Sequence, residues 1–139
     1  FSDVDLPQKI INVLIKFNPN DEIEYICKEF WLIIATCPVR FSYLKTLDAK
    51  TALQHMPNNP NAYGLYSPFR DKAGNRYGQF PLMDKIGLNA VKRLQERAES
   101  LKLQPLYNKE VDATFVHLFQ LTTSPWILSD SAIGYFITT

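Results

Sequence analysis

Between Asp21 and Cys37 the chain carries its strongest constraint on folding. Ile23, Ile26, Cys27, Phe30, Ile34 and Cys37 recur at helical spacing. Trp31, Leu32 and Ile33 close the remaining faces of the second half. A helix that is apolar nearly all round has to be covered on every side. The spacing therefore predicts a buried central helix over 21–36, with Asp21, Glu22 and Glu24 near its positive N-terminal end and Pro38 stopping it.

The rest of the chain must supply that cover. Asp5-Leu6-Pro7 reads as a helix start, with Asp5 as cap and Pro7 in the first turn. The first helix is predicted over 6–17, with Leu6, Ile10, Leu14 and Phe17 on one face and Ile11 and Ile15 widening it. Residues 39–44 read as a short strand or the lead-in to a third helix at 46–56. The run 57–61, Pro-Asn-Asn-Pro-Asn, is loop-like. A β-hairpin is expected over 64–80. A long amphipathic helix follows at 84–102, with Ile86, Ala90, Leu94, Ala98 and Leu101 on one face and a Lys92–Glu96 pair on the other.

Beyond it the pattern turns to β. Residues 102–107 suit an edge strand, because Pro105 has no N–H to donate. The segment 113–122 alternates, with large apolar groups in both sets, and reads as a strand covered on both faces. Ser124-Pro125 turns the chain, Trp126 is expected to be buried, and 133–138 reads as a last strand. Helices first and strands later predict an α+β domain with C-terminal antiparallel strands.

Composition sets the outer bounds. A chain of 139 residues with 46% hydrophobic and 21% charged residues suits one domain with its own core, and excludes disorder. It starts at Phe1 and ends in IGYFITT, so the expectation is a single domain over 1–139 excised from a longer protein. A net charge of +1 excludes a strongly basic domain, so any nucleic-acid binding rests on a local patch. The apolar run 30–37 is far short of the roughly 20 residues that span a bilayer. Cys27 and Cys37 on one helix would lie about 15 Å apart, too far for a disulfide. They are predicted to be buried and reduced, in an intracellular setting: cytoplasm, nucleus or virion interior.

The segment 63–80, YGLYSPFRDKAGNRYGQF, concentrates side chains suited to a partner. Residues 71–75 fit a type I turn closed by Gly74 in the left-handed conformation. That register sets Arg70 opposite Arg76 and Tyr66 opposite Phe80, with Leu65, Ser67, Phe69, Tyr77 and Gln79 on the other face. Two opposed arginines repel unless an anionic group sits between them. Tyr66, Arg70, Lys72, Arg76 and Phe80 are the candidate partner-binding residues. The plainer reading packs Phe69 and Tyr77 into the core and leaves both arginines in water, where salt screens them and Asp71 offers a neutralising charge.

No other motif carries chemistry. His117, in an apolar segment, reads as a hydrogen-bonded core residue, and His55 as a histidine near a helix C-terminus. Ser129, Asp130 and Ser131 resemble a turn or helix cap, with no nucleophile elbow around them. The glycines form no phosphate loop or dinucleotide fingerprint. No catalytic residue, cofactor site or metal site is predicted.

The leading expectation is a non-enzymatic interaction domain, of assembly or adaptor type, whose hairpin binds a protein partner. The alternative is a single-stranded nucleic-acid-binding domain. An enzyme comes third, and would need a deep pocket where His117 or His55 meets a carboxylate or cysteine.

Overall fold

A computed structural model describes residues 6–70, 73–82 and 84–138. Helix α1 spans Leu6–Lys16, α2 Glu22–Thr36 and the short α3 Phe41–Leu44. Strands β1 (Leu53–Met56), β2 (Asn59–Leu65) and β3 (Phe80–Pro81) form an antiparallel sheet in that order. Helix α4 (Lys85–Ser100) leads to the antiparallel pair β4 (Leu106–Asn108) and β5 (Ala113–Phe115). Helix α5 covers Asp130–Thr138. The architecture is a small α+β fold, with two sheets among the described residues. Among the described residues, no helix is long and apolar enough to cross a membrane.

Helix α2 is the central element, touching α1, α4 and α5. The Asp21 carboxylate caps it by accepting the Glu24 N–H at 2.9 Å, which satisfies a donor the first turn leaves open. Ile26, Phe30, Leu32 and Ile33 are buried, and Phe30 meets Phe41 and Phe119 with ring centroids 4.9 Å apart. Half-buried Trp31 donates its indole N–H to the Ile133 carbonyl at 2.9 Å, tying α5 to α2. Asp84 caps α4 in the same way, accepting the Ile86 N–H at 2.7 Å.

Two ion pairs clamp α4 to α2. Arg97 binds Glu22, whose other oxygen accepts the Thr122 N–H and hydroxyl, each at 3.0 Å. Partial burial works to raise the Glu22 pKa, but the Thr122 hydrogen bonds and the Arg97 charge outweigh it and lower it. Arg93 binds Glu29 further along the helix pair.

Three expected elements differ. The helix over 46–56 is absent: turns lead instead into β1. Asp48 Oδ1 accepts the Lys50 N–H at 2.8 Å, and Thr46 Oγ1 donates to the Tyr43 carbonyl at 2.7 Å. Such local side-chain bonds compete with a helical ladder. The run 57–61 is loop only at 57–58, and Asn59–Asn61 already belong to β2.

The long strand at 113–122 stops at Phe115. The Gln120 side chain accepts the His117 N–H at 3.1 Å and its backbone N–H donates to the His117 carbonyl at 3.2 Å, closing a turn. The continuation pairs with 47–49 instead, through Ala49 N–H to Val116 O (2.8 Å) and Leu118 N–H to Leu47 O (3.1 Å).

The last strand, over 133–138, is helix α5. Ser129 Oγ accepts the Ala132 N–H at 3.2 Å, and Ile133 and Phe136 point inward three residues apart, Phe136 edge-on to Phe17. A cap and a one-sided apolar stripe outweigh the β propensity of the segment. Trp126, expected inside, is 45% exposed. It stands at the apex of a γ-turn with φ 67°, in which Ile127 N–H meets Pro125 O at 2.7 Å.

Candidate functional site: the arginine hairpin and the cleft beside it

The residues flanking the expected turn pair at Arg70 and Arg76, while Asp71 and Lys72 of the turn itself lie outside the described residues. Gly74 has φ 83°, the left-handed conformation that glycine adopts without a Cβ penalty. Arg70 and Arg76 face each other in an antiparallel bridge, as the turn chemistry requires. Both are exposed. Arg70 Nη1 donates to the Gly74 carbonyl at 2.9 Å, bracing the tip. Among the described residues, no carboxylate lies within ion-pair distance of either guanidinium.

The register slips by one residue below the tip. Phe80 opposes Leu65, not Tyr66. The physical reason lies in the residues between. The Tyr66 N–H turns to the Ala52 carbonyl at 2.9 Å, Ser67 Oγ is taken by Thr46 at 2.9 Å, and Pro68 has no N–H for the ladder. Tyr66 is therefore half-buried and separate from Phe80. Lys72 lies outside the described residues.

The hairpin aromatics serve as anchors. Phe69 packs on Phe115 at 4.7 Å between centroids, and Phe115 stacks on His117 at 4.1 Å. On the other arm Tyr77 and Phe80 pack on Tyr43 at 5.9 and 4.8 Å. The Tyr43 hydroxyl donates to the Gly78 carbonyl at 3.0 Å, and burial pushes its pKa far up. Phe80 keeps 37% of its surface exposed. Of the candidates, then, Arg70 and Arg76 come together at the surface, Phe80 is shared between body and solvent, and Tyr66 is mainly structural.

Beside the outgoing arm lies a cleft of about 470 Å3 lined by Lys45, Tyr77, Tyr107, Asn108, His117 and Asp130, among others. Lys45 and Asp130 form an ion pair across it, and Lys109 and Glu110 add one charge of each sign. His117 is 4% exposed, with Nε2 3.3 Å from Asn108 Nδ2. Burial lowers its pKa below 6.5, against the opposing pull of the Phe115 backbone, Gln120 and the Asp48 charge. His55 sits on β1, exposed, with its ring 4.4 Å from that of Tyr63. It is not at a helix end.

Sequence reasoning missed this cleft, since Lys45, Asn108 and Asp130 converge from three separate elements and carry no local motif. Among the described residues, no cluster of three or more His, Cys, Asp or Glu side chains is arranged to hold a metal ion. Cys27 and Cys37 are free and buried.

Comparison of the chain with protein-family models, with curated proteins and with solved structures returns no match.

Proposed function

We propose that this domain is a non-enzymatic assembly or adaptor module that binds a protein partner through the Arg70/Arg76 hairpin. One observation carries the reading: two exposed arginines occupy opposed positions of a backbone bridge on a hairpin whose aromatic side chains are fixed to the body on both arms. Such a pair repels itself in isolation and is relieved by a shared anion. Carboxylates on an acidic protein segment fit that requirement, and the exposed part of Phe80 supplies apolar contact. The adjoining cleft, with its mixture of Lys45, Lys109, Glu110 and Asp130, favours a protein over a polyanion. The free, buried cysteines support an intracellular setting.

Single-stranded nucleic acid is the second reading. It is favoured by Lys50, Lys92 and Lys102 along a separate cleft of about 650 Å3 beside α4, although Glu96 and Glu99 line the same cleft.

The test compares wild type with Arg70→Ala/Arg76→Ala in two assays. The first is affinity capture with quantitative identification of bound proteins. The second is fluorescence anisotropy with labelled single-stranded RNA and DNA at two salt concentrations. The proposal expects protein partners that are lost in the double variant, with an unchanged melting temperature. Binding to nucleic acid that weakens steeply with salt and vanishes in the variant would move the second reading to first place. A large fall in stability with binding intact would make both arginines structural.

A further inference from the structure

The turn end of the β4–β5 hairpin is held by an amide whose orientation can be assigned. Asn108 Oδ1 accepts the Glu110 N–H at 2.8 Å. Its Nδ2 is therefore the end directed at the Lys45 carbonyl, 3.4 Å away, and at His117 Nε2, 3.3 Å away. An amide NH2 only donates, so Nε2 has to accept, and the neutral imidazole carries its proton on Nδ1. No acceptor meets Nδ1 with hydrogen-bond geometry among the described residues. Asn108 thus bridges β4, the end of α3 and His117.

A second proton on this imidazole must go to Nε2. There it faces the Asn108 NH2, donor against donor. Turning the amide over restores a bond to His117 but gives up the Glu110 N–H and the Lys45 carbonyl. Both outcomes break the tie at the turn. We infer that protonation of His117 releases the turn end of the β4–β5 hairpin from α3 and widens the cleft beside the Arg70/Arg76 hairpin.

The surroundings set where this happens. The Phe115 backbone and the Gln120 side chain favour the imidazolium, and so does the charge of Asp48, opposite His117 in a backbone bridge. Lys45 and Asp130, from the end of α3 and from α5, face the same cleft as an ion pair. Tyr77 faces it from the arginine hairpin, and Tyr107, Lys109 and Glu110 from β4 and its turn. The stack on Phe115 gives an imidazolium a π face. Burial outweighs these, so the latch is closed at neutral pH and opens on acidification below the ordinary histidine range. The link to partner binding rests on the proposed function, but the opening itself is read without a partner.

NMR of the intact domain from about pH 7.5 to about pH 4.5 tests it. The readouts are the His117 ring nitrogens, the Asn108 side-chain amide, and exchange protection of the β4–β5 amides corrected for intrinsic pH dependence. Protection of β4–β5 should fall at least about tenfold with the His117 midpoint while α2 and α4 stay protected. His117→Gln should hold the hairpin closed throughout. Asn108→Ala should open it already at neutral pH and remove the acid step, which decides the matter if His117→Gln fails to fold. Protection that ignores the His117 titration overturns the inference, as does an imidazole still neutral at the lowest pH. Loss of α2 and α4 together with the hairpin overturns it too. If the latch responds but Arg70→Ala/Arg76→Ala leaves partner capture intact, the binding proposal fails and the latch stands.

Discussion

Glu29 and Arg93 meet in a two-pronged ion pair between α2 and α4, Nε to Oε2 at 2.8 Å and Nη2 to Oε1 at 2.9 Å. The carboxylate is 1% exposed, while the arginine side chain is 46% exposed. The Glu29 hydrogen bond raises the Arg93 pKa against partial burial, so the guanidinium stays charged at every accessible pH. Removing the arginine alone strands a buried charge. Arg93→Ala is expected to cost about 3 kcal/mol of unfolding free energy. Adding Glu29→Gln should recover part of that loss, because a neutral amide is cheaper to bury. Urea titrations of the single and double variants check both statements, and additive losses would show that the two side chains do not act as a pair.

Gly87 lies where α4 approaches the last turn of α2. A Cβ built there would stand 2.1 Å from Thr36 Oγ1 and 3.3 Å from Thr36 Cβ. The Thr36 hydroxyl is held by the Leu32 and Ile33 carbonyls at 2.9 and 3.2 Å and does not move away freely. Gly87→Ala should therefore destabilise the domain by about 2 kcal/mol despite the better helix propensity of alanine. Thr36→Ala in the same chain should restore most of it. Thermal melts of the two variants decide, and a Gly87→Ala protein as stable as wild type would contradict the close approach.

His117 gives stability a definite slope with pH. Its folded pKa is lowered beneath 6.5 by burial, so the unfolded chain binds the proton more readily. The contribution is fully present above the unfolded value and is lost as pH falls through about 6.5 towards the folded one. Urea midpoints should drop on acidification across that window in wild type. The drop should be smaller in His117→Gln by the share that His117 contributes, and an identical slope in both proteins would remove the histidine from the account.

Both thiols should be silent in the native protein. Burial pushes the Cys27 pKa up to about 11, with Asp21 and Glu24 adding to the shift, and burial raises Cys37 as well. A thiolate is the reactive form, so each site is shielded by protonation and by packing. An aromatic disulfide reagent at about pH 8 is expected to label neither cysteine until denaturant is added. Rapid labelling of the folded protein would place at least one thiol at the surface.

What the sequence made legible was local. Helices α2 and α4 announce themselves because Asp21 and Asp84 cap them and their apolar residues keep a 3.6-residue period. The Arg70–Arg76 opposition was readable because Gly74 fixes the turn and the turn fixes the nearest pair. One step further the information ran out. Whether Phe80 meets Leu65 or Tyr66 depends on where Tyr66 and Ser67 send their hydrogen bonds, and both go to residues far off in the chain. Segment 46–56 reads as a third helix, yet the side chains of Thr46 and Asp48 bond locally and compete with one. The cleft and its Asn108–His117 contact arise only when separate elements converge. Glu29 and Arg93, 64 residues apart, look in sequence like two ordinary helix-surface charges.

The bonds of α2 also say something about when this chain can fold. Near its start, Glu22 holds the backbone of Thr122, 100 residues downstream, and near its middle Trp31 holds the Ile133 carbonyl, 102 residues downstream. This central, buried helix is thus made by a ribosome before the later segments that cover it. Until α5 has emerged, one flank of that helix stays open to water or to whatever shields nascent chains. Contacts of such sequence separation slow folding, because a long loop must close before it is rewarded. Truncation just before Ser129 would leave α2 helical in propensity but without the surface that completes it.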